Sequence, residues 1–404
     1  MPELVLALNA GSSTVKFALF DQSGAAPELR FRGLIDGLGR SPTMRVRSAE
    51  GEIVAEYSWP DGARLKPADF AGDILHCIEA RLAGGPLIAV AHRIAHGGPD
   101  FADPIVLTMP VLDQLAALEP LAPLHQPHNL AMVRAVRTLR PDLVNIGGFD
   151  TAFFHDLPAV AQCVPLPSPW PERGVRRYGF HGLSYSYLQG RLQALKPLGG
   201  PSRVVFAHLG SGASLCACRD GRPVETTMGF SPLDGLVMST RCGAIDPGVL
   251  LYLLGPGGLG RDEVEDLLYR HSGLIGVAGL GGDMRQLLAS DTTASRAAVD
   301  LFVYRVVQEA GALVAVLGGL DALVFSAGIG EHAPAIRERI CEQLAWLGVE
   351  MDPAANARST DRITTLRSAV SAWVIPTDEE QTLAAGARQA LADDGLTHRK
   401  AAVA

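Results

Sequence analysis

With 404 residues, the chain exceeds what one hydrophobic core holds and fits two domains of roughly 150–200 residues each. Its 48% hydrophobic and 19% charged residues, with 44 glycines, describe a compact, turn-rich α/β protein. A formal charge of −8 excludes nucleic acid or an anionic membrane as a bulk partner, while leaving room for a locally basic pocket.

The sequence opens on two apolar, strand-length runs, Leu4 to Leu8 and Val15 to Phe20, around the small polar stretch from Asn9 to Thr14. This predicts a hairpin with an open loop whose N–H groups and hydroxyls suit a phosphate, with Lys16 two residues beyond it. An ordinary hairpin with a polar tip explains the stretch equally well by itself. A second copy changes that: shifted by 199 residues, Val204 to Asp220 lies on Val5 to Asp21, so that Gly11 meets Gly210 and Ser12 meets Ser211. Two such units predict a duplicated domain holding a nucleotide between the two loops.

Residues 27–65 read as short strands and turns. Helical spacing covers Pro67 to Ala83 and ends at Gly84-Gly85. A strand from Ile88 to His92 runs into Arg93, and a helix from Pro110 to Leu118 follows. Asn129 is placed to cap a helix to Leu139, and a strand from Leu143 to Gly148 ends in Asp150. Residues 150–203, rich in proline, read as loop. Asp291 to Leu317 is helical, and Leu323 to Ser326 is a strand feeding Gly328-Ile329-Gly330 and a helix from about Ala333 to Leu347. That strand–glycine turn–helix order places anions against a helix N-terminus. A last helix starts near Thr377, with Asp378, Glu379 and Glu380 in its first turn, where acidic residues are favourable in any case. Of six scattered cysteines only Cys216 and Cys218 are close, on one face of a strand, and no second pair completes a zinc site. Buried thiols in a reducing compartment follow. No basic leader precedes the first strand and the stretch 311–325 is broken by Asp321, so a cytoplasmic protein is expected.

Arg241 stands among small and apolar residues and needs a partner, for which an anionic substrate is one candidate. Arg93 and Asp150 end predicted strands, where active-site loops of α/β sheets gather. His181 lies in a glycine-rich turn. Each by itself reads more readily as structural than as catalytic. In order, however, the chain carries LNAGSSTVKF, HRIAHGG, APLHQPHNL, FDTAF, RRYGFHG, HLGSGAS, MGFSPLDGL, TRCGAIDPG, SGLIG, DMR, AGIGE and IPTDEE between residues 8 and 380. In these the sequence resembles the acetate kinase family, itself similar to actin-like and sugar-kinase ATPases.

The resemblance implies an α/β protein of duplicated ribonuclease H-like fold, two domains around a nucleotide cleft. Residues 1–150 would form the first domain, with 381–404 packing back on it, and 151–380 the nucleotide-binding and dimerisation domain. It implies a homodimer and reversible phosphoryl transfer from ATP to acetate, with Mg²⁺ or Mn²⁺. Asn9 and Glu379 match the metal-associated residues, Lys16 the residue near the phosphates, and Arg93 the one holding the substrate carboxylate. Asp150, His181 and Arg241 match those acting at the transferring phosphoryl group. Nucleotide contacts fall on His208, Leu209, Gly210, Ser211 and Gly212, on Asp283, Met284 and Arg285, and on Gly328, Ile329, Gly330, Glu331 and His332. Ala95, Leu124, Phe180 and Pro232 match the wall of the acyl pocket. Charge spreads over three equatorial oxygens in such a transfer, so positioning and electrostatics dominate, and arginine and histidine donors suit it. A carboxylate acceptor is ionised at pH 7 and needs no base, so Asp150 is expected to orient an arginine or the metal shell.

Departures concentrate in the nucleotide loops: Ser211 and His332 stand where the family usually has Asn, Gln126 where it has Asn in His-Asn-Pro, and Leu183 and Tyr185 in place of Thr and His. They bear on the phosphate donor rather than the reaction class. Ala95 replaces the usual valine. The competing readings are a kinase of the same fold preferring propionate or another short acid, and an actin-like or chaperone-like ATPase module. The short polar tail at 390–404 leaves the latter no peptide-binding domain, and Arg93 and Arg241 no purpose.

Overall fold

The computed structural model describes residues 3–11, 14–82, 85–195 and 202–393. The chain divides into two units, the first drawn from Met1–His155, Gly182–Tyr187 and the residues from Asp378 onward, the second from Asp156–His181 and Leu188–Thr377.

In the first unit β1 (Leu4–Ala10) and β2 (Val15–Asp21) form an antiparallel hairpin, Leu4 opposite Asp21 and Ala10 opposite Val15. Every residue of β1 is buried, as its unbroken apolar run requires of a strand covered on both faces. The strands β3 (Glu28–Asp36), β4 (Thr43–Ser48) and β5 (Ile53–Ser58) continue the sheet as a meander on one side. On the other side β6 (Leu87–Ile94) pairs parallel to β1, and β7 (Ile105–Val106) closes the edge against β8 (Val144–Phe149), which is parallel to β6. The order is β5-β4-β3-β2-β1-β6-β8-β7. Alternate residues of β1 serve two cores. Leu4, Leu6 and Leu8 cluster with Ile74 and Ile78 of α1 (Ala71–Glu79) and Met132 of a later helix; Val5 and Ala7 cluster with Leu383, Ala387 and Leu391 of the terminal helix (Glu379–Asp393). The helix α2 (Met109–Ala116) packs beside α3 (Gln126–Leu139) over Ile94 and Phe149.

The second unit repeats the plan. Its hairpin, β9 (Arg203–Leu209) with β10 (Ala213–Arg219), begins 199 residues after β1. With β11 (Arg222–Thr226), β12 (Ala322–Ser326) and β13 (Ser371–Val374) it gives the order β11-β10-β9-β12-β13. This matches β3-β2-β1-β6-β8 strand for strand, antiparallel on one side of the first strand and parallel on the other. The duplication is therefore one of topology, a ribonuclease H-like sheet made twice. The long helix Thr293–Leu317 buries Val299, Phe302, Val303 and Val306 in the second core. Among the described residues no helix is long and apolar enough to cross a membrane.

Four local expectations change. Asn129 does not cap α3: the helix begins at Gln126, His125 is its N-cap, and Asn129 is buried inside the first turns. The stretch 150–203 holds a 14-residue helix, Gly182–Leu195; its four consecutive buried residues from Gly182 to Tyr185 hide the helical period. The helix expected from about Ala333 is Pro334–Gln343, but the glycine turn expected before it is itself a short helix, Ala327–His332, which ends before Pro334. The run from Arg93 to His96, whose reading as extended would set Ala95 on the same face as Arg93, is not extended throughout: β6 stops at Ile94 and Ala95 lies in a bend. Gly84, expected to end the first helix, and Ser12 and Ser13 of the first loop lie outside the described residues.

In the first unit two buried histidines are held toward the neutral form. Nε2 of His92 donates to Asn145 Oδ1 at 2.8 Å, and Nδ1 of His96 accepts from the Gly98 N–H at 2.9 Å. Burial lowers both to about 4, the Asn145 bond opposing it at His92. The unfolded chain therefore binds more protons between about pH 4 and the ordinary value of 6.5, and their contribution to stability is lost as pH falls through that window. His92→Gln should flatten the fall of the urea midpoint between pH 6.5 and 4.5 relative to the parent chain; parallel curves would show that His92 is not the titrating group.

Candidate active site

The residues marked by sequence fall into two sets, one in each unit. In the first unit Arg93, one residue before the end of β6, meets Asp150, just past the end of its neighbour β8. Nε of Arg93 lies 3.1 Å from both Asp150 oxygens and Nη2 lies 2.5 Å from Oδ2, a fork on a carboxylate. Nη1 reaches Asn9 Oδ1 at 3.4 Å, and Asn9 Nδ2 donates to Glu379 Oε2 at 2.8 Å and Glu380 Oε1 at 3.2 Å. Lys16 stands opposite Asn9 across the hairpin. Burial pushes the Asp150 carboxyl up to about 6 against the pull of Arg93. Burial would pull the Arg93 guanidinium down, but Asp150, Glu379 and Glu380 outweigh it and hold it charged. Burial likewise raises Glu380, with Lys16 opposing. Three carboxylates thus surround Arg93 in a largely buried cluster, with Lys16 exposed at its edge. Sequence reasoning passed over Glu380; the signal was its place beside Glu379 in the acidic turn.

Among the described residues no three His, Cys, Asp or Glu side chains are grouped to hold a metal by themselves. Asn9, Glu379 and Glu380 are of the oxygen-donor types that Mg²⁺ takes when water and phosphate complete its shell, but here the amide turns Nδ2 to the two carboxylates and Oδ1 to Arg93, so holding the ion would require the Asn9 amide to turn over. Of the residues expected in the acyl wall, Ala95 is buried and Leu124 half-buried in this unit.

In the second unit His181 and Arg241 converge on Gly212. A Cβ there would lie 3.3 Å from His181 Nε2 and 3.4 Å from Arg241 Nη2, so glycine lets the imidazole and the guanidinium come close to the loop backbone. Nδ1 of His181 is 2.9 Å from Ser214 Oγ, and its ring stacks on His208 at 4.1 Å. His181 has φ of 62°, a strained value for a residue with a side chain. Sequence reasoning did not mark Ser214, though it pairs with His208 across the second hairpin. Arg241 donates from Nη1 to the Pro232 carbonyl at 2.8 Å. Its loop is clamped: the Leu274 N–H bonds the Met238 carbonyl and the Ser272 N–H that of Thr240. A Cβ at Gly273, where φ is +68°, would lie 2.2 Å from the Met238 oxygen and 2.4 Å from that of Arg241. The glycine of the SGLIG motif thus admits the backbone that carries Arg241.

The loop residues are less uniform. A Cβ at Gly210 would lie 3.5 Å from Ala327 Cβ and 3.9 Å from the Gly328 nitrogen, so the hairpin loop and the glycine turn adjoin. The helix N-terminus expected to receive an anion already has one. Glu331 Oε1 accepts from the Ala327 N–H at 2.8 Å and the Thr377 N–H at 3.2 Å. Asp283 caps its short helix through the Arg285 N–H and pairs with the Arg285 guanidinium at 2.7 Å, leaving Arg285 and His332 otherwise exposed. Leu209, Met284, Ile329 and Phe180 are buried in the second core, so contacts from the first three would come from their backbone.

The sequence model of the acetokinase family matches residues 4–385. The acetate kinase of Rhodopseudomonas palustris (strain TIE-1) is 50% identical over 389 residues, covering 95% of this chain and 97% of the relative. That of Rhizobium meliloti is 45% identical over 388 residues, with 95% and 97% covered. Among solved structures, the acetate kinase of Porphyromonas gingivalis superposes with a TM-score of 0.83 at 32% identity, covering 96% of this chain and all of that one. A propionate kinase from Francisella tularensis subsp. tularensis SCHU S4 gives 0.84 at 31%, covering 95% and 98%. With the motif arginines, the histidine and the acidic turn placed as described, the chain belongs to the acetokinase family.

Proposed function

We propose that this kinase transfers a phosphoryl group reversibly between ATP and acetate, giving acetyl phosphate and ADP. The observation that carries this reading is the buried cluster of Asn9, Arg93, Asp150 and Glu379, assembled from three strand ends and a helix start in a chain of this family. Arg93 takes the acceptor carboxylate with the donors that Asp150 leaves it, chiefly Nη1. Asp150, engaged by Arg93, orients the guanidinium rather than removing a proton, since the acceptor is already ionised at neutral pH. His181 and Arg241 supply the N–H donors for the charge on the equatorial oxygens, Ser214 fixing which imidazole nitrogen faces Gly212. Lys16, the loop from His208 to Gly212, the segment from Asp283 to Arg285 and the turn from Gly328 to His332 serve the nucleotide. Asn9 and Glu379 would hold Mg²⁺, or Mn²⁺ in its place, which when bound neutralises phosphate charge.

Six free cysteines, four of them buried, suit the reducing cytoplasm. We place a homodimer contact on the helix Pro247–Leu254, which buries none of its residues and exposes Leu251 at 72% and Tyr252 at 61%. Leu251→Glu should shift the sedimentation coefficient to that of a monomer; an unshifted dimer would place the contact elsewhere.

The test of the activity is trapping of acyl phosphate as the hydroxamate from acetate, ATP and Mg²⁺; no product from well-folded protein would overturn the reading. In the same assay Arg93→Ala and Arg241→Ala should each lower kcat/KM at least ~10²-fold, with poor rescue by lysine, which lacks the planar fork. Near-full activity of either variant would make that arginine structural.

A second reading, toward propionate, rests on Ala95, small and buried at the bend after Arg93. Discrimination per methylene in an apolar pocket is about 1–3 kcal/mol, so propionate should be used within about tenfold of acetate. Acids beyond butyrate should be poor. Ala95→Val should remove propionate activity and keep that with acetate; an unchanged ratio would show that Ala95 does not line the acyl pocket.

A further inference from the structure

Two parallel strands, β1 and β6, carry Asn9 and Arg93, and their pairing stops short of both ends. The last paired residues are Leu8 and His92. Beyond them the backbone groups that would continue the ladder turn to side chains of the first turns of α3. The Ala95 N–H donates to Asn129 Oδ1 at 2.9 Å, and Asn129 Nδ2 donates to the Ala10 carbonyl at 2.7 Å. One amide therefore stands between Ala10 and Ala95 in place of a direct bond, accepting from one strand end and donating to the other. Beside it Gln126 Oε1 accepts from the His96 N–H at 3.0 Å, and Nε2 donates back to the His96 carbonyl at 3.0 Å. The Gly97 N–H goes to Thr151 Oγ1 at 3.0 Å. Asn129 is 1% exposed and Gln126 0%, so neither amide has water to exchange these bonds for.

We propose that Asn129 is a positioning residue for the acceptor side of the site, supported by Gln126: its amide sets how far the ends of β1 and β6 splay, and so the spacing of Asn9, Arg93 and Ala95. The inference rests on the reading of this site as a carboxylate kinase. Ala10 directly follows Asn9, and Ala95 lies two residues after Arg93, so each arm of the amide ends next to a residue that the reaction uses. A hydrogen-bonded side chain is a finer spacer than strand pairing here, because a direct ladder bond would draw the two ends together. A helix interior is a poor place for an asparagine on propensity alone, and the two backbone bonds give it a purpose there.

Two substitutions separate the arms. Asn129→Asp keeps an acceptor for the Ala95 N–H but sets an oxygen against the Ala10 carbonyl; Asn129→Leu removes both bonds at similar volume. Misplacement on the order of 1 Å costs up to ~10²-fold. Asn129→Leu should therefore lower kcat/KM for acetate by ~10–100-fold and change the propionate-to-acetate ratio, while KM for ATP stays within about twofold. Asn129→Asp should hold KM for acetate nearer the parent value and lose kcat. Circular dichroism and thermal midpoint are recorded for both, and the aspartate variant, isosteric with the parent, carries the test if the leucine variant does not fold. Parental kinetics in folded variants, or a loss that only tracks the unfolded fraction with both KM values unchanged, would overturn the assignment. Parent protein run alongside distinguishes the failures: no acyl phosphate from the parent sinks the functional reading, whereas an active parent with unaffected variants sinks only the role of Asn129.

Discussion

The ion pair of Arg93 and Asp150 is the constraint that the first unit is arranged to meet. Withdrawing both groups from water costs several kcal/mol each, and only close geometry with further hydrogen bonds offsets it. The fold supplies that geometry by placing the two residues at the ends of adjacent parallel strands, with the Asp150 N–H bonded to the Ile94 carbonyl at 3.0 Å. Gly182 closes the other side: its N–H bonds the Asp150 carbonyl at 2.8 Å, and a Cβ there would lie 2.2 Å from that oxygen. Asn9 then links the pair to Glu379 and Glu380, which the terminal helix brings back over the sheet. Remove the pair and each of these contacts loses its reason.

The second unit solves a related problem with backbone rather than charge. Arg241 is held through its carbonyl neighbours, by glycines that let two loops approach closer than any side chain would permit. His181 is held by a hydroxyl on one nitrogen and a second imidazole against its face. Both devices bring a nitrogen of each residue up against Gly212, where cationic and N–H donors suit developing negative charge.

Much of this was legible in the sequence, for identifiable reasons. The hairpins were, because buried strands read as unbroken apolar runs and their offset repeats residue by residue. The grouping of Asn9, Arg93, Asp150 and Glu379 was legible in part, because each sits in a recognisable motif at a strand end or helix start. Asn129 was misread because asparagine before a helix usually caps it, and nothing local says that its amide joins two distant strand ends. Glu331 was hidden similarly: a glycine turn before a helix signals an anion, without saying that the anion is the turn's own carboxylate. The helix Gly182–Leu195 escaped because four buried residues in a row carry no helical period. Each miss is a tertiary contact overriding a local pattern.

The claim that Arg93 and Asp150 act as one unit is tested most directly by a double-mutant cycle in acyl phosphate formation. Asp150→Ala leaves Arg93 with only the more distant Glu379 and Glu380, Arg93→Ala leaves the buried Asp150 without its guanidinium, and the double replacement removes both mismatches. The account predicts strong non-additivity, the double variant falling in kcat/KM little further than either single one. Free-energy losses that add within about 0.5 kcal/mol would contradict it, and would mean that the two residues serve the reaction independently.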